Sequence, residues 1–229
     1  MKILALETTE KFGSAALLDG THVLEEITLP KDRRSSQTLH PALQTLFEKT
    51  QIAPQEVSVV AVVVGPGSFT GLRVGVTAAK IFAYTTGAKV VVLDTFETVA
   101  TAVPPHTGVI SVGVDAQRGE VIAAILRQTA SRNLETIKDP KIITVGDWWK
   151  HAEQYEDVLF TGPALERWRE KAPSHLIATE ESDWFPRASI AGKLAAERIT
   201  TETFTETSDG VWSLLPTYSR LSAAEEKRG

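Results

Sequence analysis

The sequence predicts an α/β protein in two lobes, each built on a mixed five-stranded sheet flanked by helices. Three observations predict it. The order β-β-β-α-β-α-β-α fills the first hundred residues and partly repeats after Pro104-Pro105. Val57 to Val64 is an almost uninterrupted β-branched run, as expected of a strand buried on both faces. Strand and helix patterns alternate along the chain, which puts helices on the faces of sheets.

The elements follow in order. Lys2 to Leu6 is an apolar strand, and Gly13 to Leu18 a second after the polar turn Thr8 to Lys11. Asp19-Gly20 is a hairpin signal, so His22 to Leu29 pairs back as a third strand. Ser35 or Ser36 is placed to cap a helix in which Leu39, Leu43, Leu46 and Phe47 share a face, with Pro41 in its early turns. Pro54 closes that segment. After the Val57 to Val64 strand, Gly65 to Gly67 turns the chain into a helix from Phe69 to Thr86, ended by Gly87. Lys89 to Leu93 is a strand and Thr95 to Ala102 a short helix. In the second half, strands are expected at Gly108 to Val114 and Glu120 to Arg127, with a weaker one at Lys141 to Val145. A helix near Gly146 to Gln154, a strand at Asp157 to Phe160 and a helix at Ala164 to Lys171 come next. The series ends with a strand at His175 to Ala178 and an amphipathic helix at Ser189 to Ile199. Two such units define the duplicated ribonuclease-H-like architecture of actin, Hsp70 and sugar kinases. The expected lobes are 1–105 and 106–229, with the closing segment free to pack back on the first.

Composition narrows the function. The 229 residues contain no cysteine, which excludes disulfides, thiolate catalysis and cysteine-bound metal centres. The net charge of −5 argues against a chain that holds nucleic acid by itself. No apolar run reaches bilayer length, and the opening MKILALETTE lacks a secretory leader pattern, so the expected location is the cytoplasm, with no membrane contact.

The most informative stretch is Gly65-Pro66-Gly67-Ser68-Phe69-Thr70-Gly71-Leu72-Arg73. It has the glycines of a phosphate loop, yet neither Walker A nor dinucleotide spacing fits. The competing reading is a tight strand-to-helix turn capped by Ser68 or Thr70. In the helix that follows, Gly71, Gly75 and Ala79 recur every four residues, with Ala78 beside them. Glycine inside a helix costs about 1 kcal/mol against alanine, so the stripe implies close approach of another backbone. Its owner is either this chain or a partner. With a partner as owner, Gly75→Leu would keep its fold and lose partner affinity.

Other motifs are less specific. Glu7-Thr8-Thr9 occupies the turn that touches phosphate in actin-like ATPases. Asp115-Ala116-Gln117-Arg118-Gly119-Glu120 opens the second hairpin, where Asp115 is suited to turn chemistry. The histidines His22, His40, His106, His151 and His175 form no pair at metal-binding helical spacing. No G-x-S-x-G nucleophile elbow is present. Trp148-Trp149, Trp168, Trp184 and Trp212 lack interleaved basic clusters, which favours core or interface filling over base stacking. The end, Pro216 to Arg220 and then Ala223 to Arg228, reads alone as a solvated tail.

Taken together, these pieces resemble the TsaB family, also described as YeaZ or glycoprotease-like proteins. The residues that carry the resemblance are Ile3 to Thr8, Gly65 to Gly75, Asp115 to Val121 and Pro216 to Arg220, in the family's order across nearly the whole chain. The resemblance implies a two-lobed actin-like fold and a heterodimer with TsaD, the related subunit that carries the metal and transfers a threonylcarbamoyl group to adenosine in tRNA. It implies work with the ATPase TsaE, on an adenylate donor made by TsaC. Pairing is implied through first-lobe helices. The expected interface residues are therefore Gly71, Val74, Gly75, Ala78 and Ala79, with Leu39, Leu43 and Leu46 from the first helix. Gly65, Pro66, Gly67, Ser68, Phe69 and Thr70 would brace the helix start.

Two departures bear on chemistry. The catalytic relative carries H-x-x-x-H on its first helix; here Ser35-Ser36-Gln37-Thr38-Leu39-His40 supplies one histidine. The family's usual first-strand acid is Asp, and here it is Glu7. The expectation is a non-catalytic dimerisation and activating subunit with no catalytic residue, metal or cofactor of its own. ATP or ADP and metal would sit on the partners, and tRNA would be met through the complex. Homodimerisation without the partner stays open. The rivals are a small-molecule kinase or nucleotidase, with magnesium at Glu7 or Asp115 and phosphate at Thr8-Thr9, and a metallopeptidase.

Overall fold

The computed structural model describes residues 1–105, 108–129, 133–200 and 210–219. Arg220 to Arg228 and His106 lie outside them. The chain divides into two compact units, 1–98 with 187–217, and 99–186 with 218–229.

In the first unit the strands are β1 (Lys2–Glu7), β2 (Ser14–Asp19), β3 (His22–Thr28), β4 (Val57–Val63) and β5 (Lys89–Leu93), in the sheet order β3-β2-β1-β4-β5. β1 runs antiparallel to β2 and parallel to β4, with Leu6 opposite both Ala15 and Val62. Alternation does the rest. Leu4, Leu6, Leu17, Val60 and Val62 face α1 (Ser35–Thr50) and α2 (Phe69–Thr86). Ile3, Ala5, Ala16, Leu18, Val59, Ala61 and Val63 face the other way. β4 is therefore buried on both faces, as its composition requires.

α2 begins and ends where the sequence places it. Ser68 is the N-cap and its hydroxyl accepts from Gly71 N at 3.3 Å; Gly87 closes the helix at φ 75°. α1 differs at its start. Its N-cap is Arg34 with no side-chain cap, so neither Ser35 nor Ser36 caps it.

The second sheet contains β6 (Val109–Asp115), β7 (Glu120–Gln128), β8 (Leu134–Thr144), β9 (Val158–Thr161) and β10 (Ile177–Ala178), in the order β10-β9-β6-β7-β8. This repeats the first sheet's topology, read from its third strand to its fifth. β8 is longer than expected, because Leu134 to Pro140 alternates poorly. It is an edge strand, where charge and Pro140 are tolerated. On this sheet α4 (Val145–Ala152) buries Trp148 and Trp149, stacked at 4.4 Å with Phe160 edge-on to both. Trp148 Nε1 donates to Ser111 Oγ at 2.9 Å inside the core. Ser111→Ala leaves that N–H without an acceptor. It is expected to cost about 1–3 kcal/mol in urea unfolding, and no loss would show that another acceptor takes over.

The lobe boundary needs correction. After α3 (Thr95–Ala102), α4 and the short α5 (Leu165–Trp168), the last helix is α6 (Ala188–Thr200), which sequence order puts in the expected second lobe, 106–229. It packs instead on the free face of the first sheet. Ala188, Ala191, Ala195 and Ala196 are buried there, and Gly192 lies directly against Leu18. Arg198 donates to Val92 O at 2.6 Å and pairs with Glu97. Segment 210–217 also belongs to the first unit: Leu214 enters its core and Thr217 N donates to Val64 O at 2.8 Å.

Candidate functional site

The distinctive residues of the first unit converge on the turn after β1. Thr8 and Thr9 are buried, and the glycine loop wraps them. Ser68 N donates to Thr9 O at 2.6 Å, and Thr8 Oγ1 donates to Gly71 O at 2.8 Å. Thr95 holds the loop from beyond, its N donating to Gly65 O at 2.8 Å and its hydroxyl to Pro66 O at 2.6 Å. Gly65 has φ 129° and lies against Thr217 O, so only glycine is comfortable there. A Cβ at Gly67 would strike Thr9 O, one at Gly71 would strike Thr8 O, and one at Gly75 would strike Thr8 Oγ1.

The small-residue stripe thus has its owner inside this chain. Gly71, Gly75 and Ala79 are buried against the β1 turn and the first core, and Leu39 and Leu46 are core residues of α1. None of these five presents a surface to a partner, which corrects the expectation for them. Leu43, Val74 and Ala78 are partly buried against the same core. The glycines do mark a close approach, but the backbone that needs the room lies 63 residues upstream.

The apolar surface lies further round α2. Ile81 is 55% exposed and Tyr84 67%. Val74, Ala78 and Ile81 follow i, i+4, i+7 spacing and so share a face. Tyr84 packs on Trp212 at 5.2 Å, Lys80 Nζ donates to Trp212 O at 3.0 Å, and Leu215 is 70% exposed. Beside this face Phe47 of α1 stacks on Phe82 at 5.8 Å. Reading α2 beyond its glycines would have found Ile81 and Tyr84. Trp212 required knowing where segment 210–217 returns.

Glu7 points inward. Its Oε1 accepts from both Thr9 N and the Thr9 hydroxyl, the latter at 2.6 Å, while its Oε2 is buried without a partner. Burial pushes its carboxyl from the ordinary 4.5 up to about 8; the Thr9 hydrogen bonds oppose the rise and Glu26 adds to it. Four amides of this turn and loop are used by the chain itself: Thr9 N on Glu7, Ser68 N on Thr9 O, Gly71 N on Ser68 Oγ and Leu72 N on Ser68 O.

In the second unit Asp115 accepts from Gln117 N at 3.0 Å and pairs with Arg167 at 3.3 Å. Its turn runs through Gln117, Arg118 and Gly119, all at positive φ. Asp115 is thus a turn residue, and it belongs to the other unit from Glu7. Among the described residues no group of three His, Asp or Glu side chains is placed to hold a metal ion, and no helix is long and apolar enough to cross a membrane.

Two sheets of one strand order place the chain among the duplicated ribonuclease-H-like folds of the actin and sugar-kinase class. The family model described as TsaD: tRNA N6-adenosine threonylcarbamoyltransferase matches residues 22–227. The tRNA threonylcarbamoyladenosine biosynthesis protein TsaB of Bacillus subtilis is 32% identical over 99% of this chain and 97% of its own. A tRNA N6-adenosine threonylcarbamoyltransferase from Phytoplasma australiense is 34% identical, but over only 37% of this chain and 31% of its own. The solved structure of YeaZ from Pseudomonas aeruginosa, 21% identical, superposes with a TM-score of 0.75 over 95% of this chain and 99% of that one. End-to-end likeness decides between the two kinds of relative. The chain belongs to the TsaB (YeaZ) family.

Proposed function

We propose that this chain serves tRNA threonylcarbamoyladenosine biosynthesis as a non-catalytic subunit that pairs with and activates a TsaD-type transferase, in a complex that also uses a TsaE-type ATPase. The observation that carries the non-catalytic reading is the plugged β1 turn. The chain's own glycine loop packs onto the β1 turn, the turn that touches phosphate in actin-like ATPases, and Glu7 turns its carboxyl into the core. That arrangement also weighs against the kinase or nucleotidase rival. The chain brings no nucleotide or metal of its own in this reading, and tRNA is met through the complex, in the cytoplasm.

The pairing face is the outer side of α2, with Val74, Ala78, Ile81 and Tyr84, flanked by Leu43 of α1. Interface energy concentrates in exposed apolar and aromatic anchors of this kind. Ile81→Asp is expected to leave the thermal midpoint near wild type and weaken pairing with the TsaD-type subunit at least tenfold, about 1.4 kcal/mol. The deciding assay measures tRNA modification by the transferase with and without this chain. Equal activity in both arms, or modification by this chain alone, would remove the assignment.

A further inference from the structure

We propose that the loop between β3 and α1, Lys31 to Arg34, is a contact surface for the phosphate backbone of tRNA. The inference rests on the subunit reading above and adds a direct RNA contact to it. Lys31, Asp32, Arg33 and Arg34 are all exposed. Lys31 Nζ sits 3.6 Å from the centre of the Phe12 ring, which ties this loop to the one between β1 and β2. Among the described residues Lys31, Arg33 and Arg34 have no carboxylate in ion-pair range. Lys2, Lys49, Arg167 and Arg198, by contrast, each hold one.

Three cations against the single Asp32 leave a local excess of positive charge on a chain whose net charge is −5. The first turn of α1 adds no acid to offset it. Crowded like charges within a Debye length of about 8 Å repel one another unless a polyanion neutralises them. Arginine and lysine suit phosphate oxygens, and such contacts position an RNA without reading its sequence. The loop itself presents no apolar anchor, which a protein interface of comparable strength would need. RNA phosphate therefore fits better than an acidic protein.

The test is the triple variant Lys31→Ala, Arg33→Ala, Arg34→Ala, assembled with the TsaD-type subunit and titrated with an unmodified tRNA transcript across a salt series. The expected result is an unchanged thermal midpoint, unchanged pairing and tRNA affinity at least tenfold lower near 0.1 M salt. The slope of log affinity against log salt should flatten by about 2–3, at roughly 0.9 for each phosphate no longer neutralised. A parallel titration of the isolated chain at low salt should show weak tRNA binding that the variant abolishes. Unchanged affinity and slope in both titrations overturn the proposal. Failure of the variant to pair with the transferase overturns it too, because the loop would then be a protein interface. If the wild-type chain fails to pair at all, the subunit reading falls, and the isolated-chain titration still decides the loop.

Discussion

Gly75→Leu is expected to destabilise this chain by about 3 kcal/mol or more, lowering its thermal midpoint before any partner is added. Leucine would gain up to about 1 kcal/mol of helix propensity over glycine. That gain is outweighed, because the new Cβ falls on Thr8 Oγ1 at a position where both Gly75 and Thr8 are buried. Overpacking a closed core costs about 1–3 kcal/mol, and more where the neighbour is fixed. Thr8 is fixed by its hydrogen bond to Gly71 O and by the turn held on Ser68 N. For a chain of this size each kcal/mol moves the midpoint by roughly 2–4 °C. The geometry also predicts coupling. Gly75→Ala should be less damaging in a Thr8→Ala background, where the obstructing hydroxyl is gone, so the two effects should not add. Additive losses, or a Gly75→Leu variant as stable as wild type, would put the stripe back on the surface.

The second large effect concerns pH. Glu7 titrates near 4.5 when unfolded and at about 8 when folded. Its folded pKa is raised, so its contribution to stability is fully present below about 4.5 and is lost as pH rises toward 8. Across that window this one group should erode stability by up to about 1.4 kcal/mol per pH unit, to a total on the order of 5 kcal/mol. Glu7→Gln keeps an oxygen for Thr9 N and the Thr9 hydroxyl and removes the charge. Its advantage over wild type should be small at pH 5 and grow steadily to pH 8–9 in urea titrations. Parallel pH profiles for the two proteins would mean that Glu7 is ionised in the core or is not buried.

Local signals make much of this fold legible. The β-branched run of β4 announces double burial, and Ser68 and Gly87 bracket α2 with its own cap chemistry. Signals that depend on distant partners mislead. The alanines of α6 say that something is close but not which sheet it is, so sequence order alone gives the helix to the wrong unit. The glycines of α2 likewise declare a close approach without naming Thr8. β8 hides because an exposed edge strand needs little apolar alternation. Of the expected contact residues, Leu43, Val74 and Ala78 keep partial exposure, whereas Ile81 and Tyr84 escape notice because the glycines mark the opposite face.

The first unit is assembled from two separated stretches of chain, 1–98 and 187–217, with the second unit encoded between them. On the ribosome, β1 to β5 therefore emerge long before α6 does. At about 5–20 residues per second, the roughly hundred intervening residues take on the order of 5–20 s. Through that interval Ile3, Ala5, Leu18, Val59 and Val63 have no helix to cover them. The nascent chain should therefore engage chaperones in this period, and release from them should follow synthesis of residue 200 rather than residue 98.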